Sequence, residues 1–167
     1  LFRSPGQIFE LVDAQVRGVP MRVFRHAPAS LGGLFANARN FGDRTFLVYE
    51  DERLSFADVA DRIDGLAHAL VHRYGVAKGD RVAIAMRNYP EWVMSFGAIV
   101  SVGAISVSMN SWWTEPEMDY ALRDSMPKVL ICDEQRHAVA RATCAALGIC
   151  VVLVRPSGTV PSGADAW

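Results

Sequence analysis

A mostly parallel α/β sheet covered by helices on both faces is the fold class this sequence predicts, and three observations lead there. Short apolar runs recur along the chain at Arg81 to Met86, Ala104 to Met109, Lys128 to Asp133 and Ile149 to Val154. Their centres are nearly continuous in apolar residues, as strands buried on both faces read. Between successive runs lies a single segment of helical periodicity, and strands joined through single helices imply right-handed crossovers and a parallel sheet.

Residues 1–40 read as an arm. Ser4-Pro5-Gly6-Gln7 has the S-x-x-Q form of a capping box with proline at a first helical position, ahead of Ile8, Leu11 and Val12. That pattern predicts a short amphipathic helix, and a second short helix is expected around Leu31 to Arg39. Between them, Arg17, Arg22 and Arg25 flank Val19, Met21, Val23 and Phe24. Basic residues beside apolar ones fit a peripheral membrane contact; an arm packed on its own fold, or swapped into another copy, is the plainer reading.

From Thr45 to Glu50 the chain alternates, Asp51-Glu52 falls at a turn and Arg53-Leu54-Ser55 returns, which makes a β-hairpin. Ser55 then caps a helix whose apolar positions, Phe56, Val59, Ala60, Ile63, Leu66, Ala67, Leu70 and Val71, keep a 3.6-residue stripe to near Gly75. Lys78-Gly79-Asp80 turns into the first buried run. Asn88 and Pro90 open a helix through about Ser101. Thr114-Glu115-Pro116-Glu117 is a T-x-x-E capping box opening a helix that stops before Pro127. The last helix spans Glu134 to Leu147 and ends at Gly148. The tail RPSGTVPSGADAW is rich in turn residues and shows no regular pattern. The resulting division is an arm at 1–40, an α/β unit at 41–155 and a linker or truncated end at 156–167.

With 51% hydrophobic residues, a chain of 167 buries one sizeable core. Its 17 basic and 18 acidic residues give a formal charge of -1, so no overall field draws in nucleic acid. Cys132, Cys144 and Cys150 lack C-x-x-C spacing and sit in apolar runs, which suits buried thiols in a reducing, cytoplasmic compartment. The first residues lack the basic, then apolar, then small-residue succession of a secretory leader, so none is expected, a removed one aside. Trp92 to Thr114 carries no charge, yet serine and glycine dilute it and its period changes midway, so it reads as a buried helix plus a buried strand.

The motifs that would carry chemistry are sparse. His68 and His72 are four apart on a helix with Asp64 four before, but these fall opposite Ile63 and Leu70, on the solvated side, and no metal site is assigned. His26 and His137 lie in no triad-like pattern. Neither G-x-G-x-x-G after a strand nor G-x-x-x-x-G-K-[ST] occurs. No catalytic or cofactor-binding residue is therefore named. Asn110, Ser111, Trp112 and Trp113 lie where a parallel strand expected to be central ends, the place where open α/β sheets bind ligands. Asn110, Trp112 and Trp113 are accordingly candidates for walling a substrate channel, against the reading of both indoles as core. Asp133 ends another strand with the same two readings.

Leu54-Ser55-Phe56 with Val59, Gly79-Asp80-Arg81-Val82, Asn88-Tyr89-Pro90-Glu91-Trp92, Gly103-Ala104, Asn110 and Glu117-Met118 follow one another in a specific order and spacing. In that order they resemble the opening segment of the adenylate-forming (AMP-binding) enzymes, the fatty-acid-CoA ligases in particular. The resemblance implies the N-terminal subdomain of that fold. It also implies a parent enzyme that joins a carboxylic acid to coenzyme A through an acyl-adenylate, using ATP and Mg2+. Its remaining parts, the later N-domain and the C-terminal domain, would be this segment's partners. Ser157-Gly158-Thr159 matches only the start of the family's S-G-T-T-G-x-P-K-G phosphate loop, because Val160-Pro161-Ser162 follows without the lysine. The segment is thus expected to be inactive alone and to bind no cofactor tightly. The N-S-W-W-T segment tilts the acid towards a fatty or other hydrophobic one, with an aryl acid as the alternative. A noncatalytic binding or assembly module derived from this fold is the competing function. An exposed apolar surface would let either form pair with a second copy. The start at Leu1 instead of methionine fits a trimmed chain.

Overall fold

A computed structural model describes residues 2–167. Its centre is a five-stranded sheet in the order β6-β5-β7-β8-β9, with every neighbouring pair parallel. The strands are β5 (Arg81–Ala85), β6 (Ile105–Ser108), β7 (Val129–Cys132), β8 (Cys150–Leu153) and β9 (Ala164–Ala166). Because side chains alternate across a strand, the central strands feed two cores. Val82, Ile84, Val129, Ile131 and Val152 enter one; Ala83, Ala85, Leu130, Cys132, Val151 and Leu153 enter the other.

The first core is closed by α2 (Phe56–His72) and α3 (Pro90–Ser101), through Val59, Ile63, Leu70, Met94, Ala98 and Ile99. The stripe read from the sequence faces the core except at Val71, which is exposed, and Asp61, Asp64, His68 and His72 are exposed opposite it. The capping box forms as expected: the Asp58 N–H donates to Ser55 Oγ at 3.0 Å, and the Ser55 N–H donates back to Asp58 Oδ2 at 2.9 Å. The helices approach closely at Gly97, where a Cβ would lie 2.6 Å from Ile63 Cδ1 and 3.1 Å from the Phe35 ring. The second core is closed by α4 (Glu115–Ser125), entered through the Thr114/Glu117 capping box, and α5 (Glu134–Leu147), ended by Gly148 at φ 67. Helices therefore cover both faces. Among the described residues, no helix is long and apolar enough to cross a membrane.

The arm departs from expectation. Where a capping box and a helix were expected after Ser4, residues 11–24 form a hairpin of β1 (Leu11–Val16) and β2 (Val19–Phe24). The two turn residues, Arg17 and Gly18, both have positive φ (51 and 82), as a two-residue type I′ hairpin loop requires. Gln7 and Ser4 close only a turn, and Glu10 accepts from the Gly6 N–H and Arg25, fixing the base of the ribbon. The second helix, α1 (Leu31–Ala38), is present, capped by Ser30. The hairpin β3 (Thr45–Tyr49) and β4 (Glu52–Ser55) is also present, turning at Glu50-Asp51, one residue earlier than expected.

Two further readings need correction. The tail is not irregular, because β9 pairs with the open edge of β8 and the Trp167 N–H donates to Leu153 O at 2.8 Å. Tyr74 Oη, at the end of α2, anchors β9 by donating to Asp165 at 2.8 Å. Cys132 and Cys144 are buried, but Cys150 is exposed.

Candidate functional site

Strand order locates the crevice. From β5 the chain crosses by α3 to β6 on one side, whereas β7 connects by α5 to β8 on the other, so the switch in direction falls between β5 and β7. Ligands of open α/β sheets bind outside the carboxyl ends of the strands at such a point. Asn110 does not sit there: β6 is an edge strand of the sheet, not a central one. The residues directly beyond the switch are Arg87, after β5, and Asp133, after β7.

Asp133 organises this end of the sheet. Only 6% exposed, it caps α5 by accepting from the Arg136 N–H at 3.0 Å, and it takes the Arg87 N–H at 3.0 Å. The Arg136 guanidinium, equally buried, lies 3.3 Å from the Asp133 carboxylate and donates to Ser111 O. A buried carboxylate and a buried cation satisfy each other and, with the charge left over for backbone groups, tie the ends of β5 and β7 to the 110–113 loop. Asp133 is a structural keystone, not an open ligand group.

The two tryptophans divide. Trp113 packs with Val107 against the second core, while Trp112 stands 72% exposed. The Arg87 guanidinium lies 3.8 Å from the centre of the Trp112 ring, and Arg87 pairs with no carboxylate among the described residues. Asn110 Oδ1 accepts from the Trp112 N–H at 2.9 Å and shapes the turn that presents the indole. Of the three channel candidates, then, Trp112 faces solvent, Asn110 holds it there and Trp113 is largely core. An exposed indole with a cation stacked on it offers apolar contact and positive charge in one place.

A second charged cluster escaped sequence reasoning. Arg155, in a left-handed conformation (φ 49) just after β8, makes two bonds to Glu52, at 2.7 and 2.9 Å. Its Nε donates to both oxygens of buried Glu91 at 3.0 Å, and its guanidinium rests against the Tyr49 and Tyr89 rings. These contacts hold the guanidinium's proton more firmly than usual, through Glu52 first and Glu91 next. The β3–β4 hairpin is thereby locked to the start of α3, and a groove of about 230 Å3 lined by Tyr49, Asn88, Tyr89, Pro90 and Trp92 opens beside it. Glu91 lies in the N-Y-P-E-W motif, the single signal that could have pointed here; Glu52 and Arg155 are 103 residues apart.

Neither buried cysteine is poised as a nucleophile. Burial pushes the Cys132 thiol well up and raises that of Cys144 to about 11. The residues present do not fit ATP or its metal ion either. The Ser157 N–H and Oγ both bind the Glu134 carboxylate at 2.8 Å, which puts an anion where a phosphate loop would need its amides free. No group of three His, Cys, Asp or Glu side chains is placed to hold a metal ion among the described residues. No phosphate chemistry is assigned to these residues.

Fold and strand-end loops define an N-terminal α/β subdomain of the adenylate-forming type, and comparison with known proteins agrees. A family model described as AMP-binding enzyme matches residues 34–164, so the chain belongs to the AMP-binding enzyme family. It is 36% identical over 95 residues to a long-chain-fatty-acid–CoA ligase of Bacillus subtilis, a match covering 57% of this chain and 17% of the relative. It is 35% identical over 96 residues to a medium/long-chain-fatty-acid–CoA/3-oxocholest-4-en-26-oate–CoA ligase of Mycobacterium marinum, covering 58% of this chain and again 17% of the relative. Among solved structures, the anthranilate CoA ligase AuaEII in complex with anthranoyl-AMP superposes with a TM-score of 0.74 at 26% identity, over 81% of this chain and 26% of that one. The chain thus spans about a sixth of the length of the curated relatives it matches.

Proposed function

We propose that this chain is the N-terminal part of an ATP-dependent acyl-CoA ligase whose acid is a fatty or other hydrophobic carboxylate. The observation that carries the reading is the ordered motif set, of which Asn88–Trp92 and Asn110 follow the carboxyl ends of β5 and β6, with Trp112 exposed beside them. The Bacillus subtilis and Mycobacterium marinum relatives bear fatty-acid–CoA ligase names, which supports the hydrophobic acid. In this reading Trp112 lines the approach of the acyl group, Asn110 and Trp113 shape that wall, and Asp133 with Arg136 holds it in place. ATP, Mg2+ and coenzyme A belong to the whole enzyme, and the later parts of the same chain supply the groups that bind them. The 167-residue segment alone is inactive, and the enzyme works in the cytoplasm with a peripheral membrane contact through its arm.

The later chain has surfaces to meet. The open edge of β6 adjoins an apolar groove of about 520 Å3 lined by Val107, Trp113, Pro116, Tyr120 and Ala121, with Ile105 and Tyr120 exposed. That surface equally favours the second reading, a noncatalytic module that uses it for assembly or to pair with another copy. One experiment separates them: the full reading frame is incubated with MgATP, coenzyme A and a panel running from octanoate and palmitate to benzoate and anthranilate, with thioesters read by mass spectrometry. Thioesters of the aliphatic acids are expected, formed at least about tenfold more efficiently than the aryl ones, a discrimination of about 1.4 kcal/mol. Preference for anthranilate or benzoate transfers the assignment to aryl acids, and no thioester from any acid leaves the assembly module.

A further inference from the structure

The arm is an amphipathic ribbon, and its register shows it. Cross-strand partners in an antiparallel pair share a face, so Val12/Val23, Ala14/Met21 and Val16/Val19 form one side and every residue on it is apolar. The opposite side carries Leu11/Phe24, Asp13/Arg22 and Gln15/Pro20. On the apolar side Val16, Val19 and Met21 are 40%, 56% and 45% exposed. β1 and β2 pack on each other and make no comparable contact with any other helix or strand. An isolated two-stranded hairpin is marginal in water, so this face calls for a cover. The family match begins only at residue 34, which leaves the ribbon outside the shared domain.

Size and charge select the cover. Six small side chains, already partly shielded by one another, offer roughly a few hundred Å2, well short of the ~800 Å2 each partner brings to a stable dimer. A lipid surface needs no shape match, and its hold grows with buried apolar area plus attraction of basic groups to anionic headgroups. Residues 2–30 carry four arginines against two carboxylates, although the whole chain is slightly acidic. Glu10 is engaged by Arg25 at 2.7 Å and Asp13 stands opposite Arg22, which leaves Arg17, at the tip, and Arg3 as the surplus. Phe2, Ile8 and Phe9, just before the ribbon, are also exposed.

We propose that the apolar face of the β1–β2 ribbon docks on an anionic lipid surface, with Arg17 at the headgroups. The assignment rests on the peripheral contact proposed above and is independent of any ligase reaction. The test is flotation of the protein made from the full reading frame with vesicles of phosphatidylcholine alone or mixed with phosphatidylglycerol, without acid, nucleotide or coenzyme A, so a failed ligase assay does not bear on it. Binding is expected only to the anionic vesicles and weakens as salt is raised. Arg17→Asn, tolerated at positive φ, and Met21→Ser, on an exposed position, should each lower the partition coefficient by about five- to tenfold while the circular dichroism spectrum stays unchanged. Absence of binding to anionic vesicles, or binding that both variants retain, overturns the proposal. So does a concentration-dependent dimer that Met21→Ser dissociates, since the ribbon would then cover itself.

Discussion

Asp133→Ala removes one half of the buried ion pair at the switch point, and the structure sets the cost. Arg136, with a side chain 7% exposed, loses the carboxylate 3.3 Å away; α5 loses its N-cap bond; the Arg87 N–H loses its acceptor. Removing one partner of a buried pair costs about 3–5 kcal/mol, because the other charge is left uncompensated. The cap alone accounts for about 1 kcal/mol of that. Arg136 keeps Ser111 O and Gln135 Oε1, so the lower end, about 3 kcal/mol, is expected. For a domain of this size that is a fall in Tm of roughly 6–12 °C. Arg136→Leu removes the stranded cation, and the double variant should cost about 1–2 kcal/mol less than the sum of the singles. Urea unfolding of the four proteins, followed by circular dichroism, measures the cost and the coupling, and thermal melts measure the fall in Tm. A cost below about 1 kcal/mol for Asp133→Ala, or strict additivity in the double variant, refutes the buried-pair reasoning.

Trp112→Ala should leave stability within about 0.5 kcal/mol, whereas Trp113→Ala should cost about 2 kcal/mol, roughly half the penalty for a fully buried ring; chemical denaturation distinguishes them. Gly97→Val forces a side chain against Ile63 and Phe35 and should destabilise by about 1–3 kcal/mol, read as a lower urea midpoint at unchanged m. Burial and the bond to Asp165 push Tyr74 up from 10 to about 12. The folded state thus holds that proton more tightly, and the associated stability is full below pH 10 and lost as the pH rises towards 12. Tyr74→Phe should flatten this alkaline decline in thermal melts.

The regular part of the fold was legible because its signals are local. A 3.6-residue stripe, two capping boxes and the N-Y-P start define α2, α4 and α3 within a few residues, and continuous apolar runs mark strands buried on both faces. What escaped depends on contacts distant in sequence or on masked turn chemistry. Arg17-Gly18 supplies a type I′ turn without the usual asparagine, so the local pattern on either side signals a helix and a loose arm and not a hairpin. β9 is three residues of Ala-Asp-Ala with little strand propensity, and the open edge of β8 recruits it. Of the candidate site, the 110–113 loop is marked locally by the end of an apolar run, but the strand order that makes β6 an edge, and the meeting of Arg155 with Glu91 and Glu52, required the tertiary structure.

The central claim, that this chain is scaffold for an acyl-CoA ligase and leaves the nucleotide to other parts of the enzyme, is tested most directly by the melting temperature of the 167-residue chain with and without MgATP. The expected shift is under about 1 °C at millimolar nucleotide. A site saturated at a hundred times its Kd would instead add about 2.7 kcal/mol, or roughly 5–11 °C, and a rise of that size would contradict the claim.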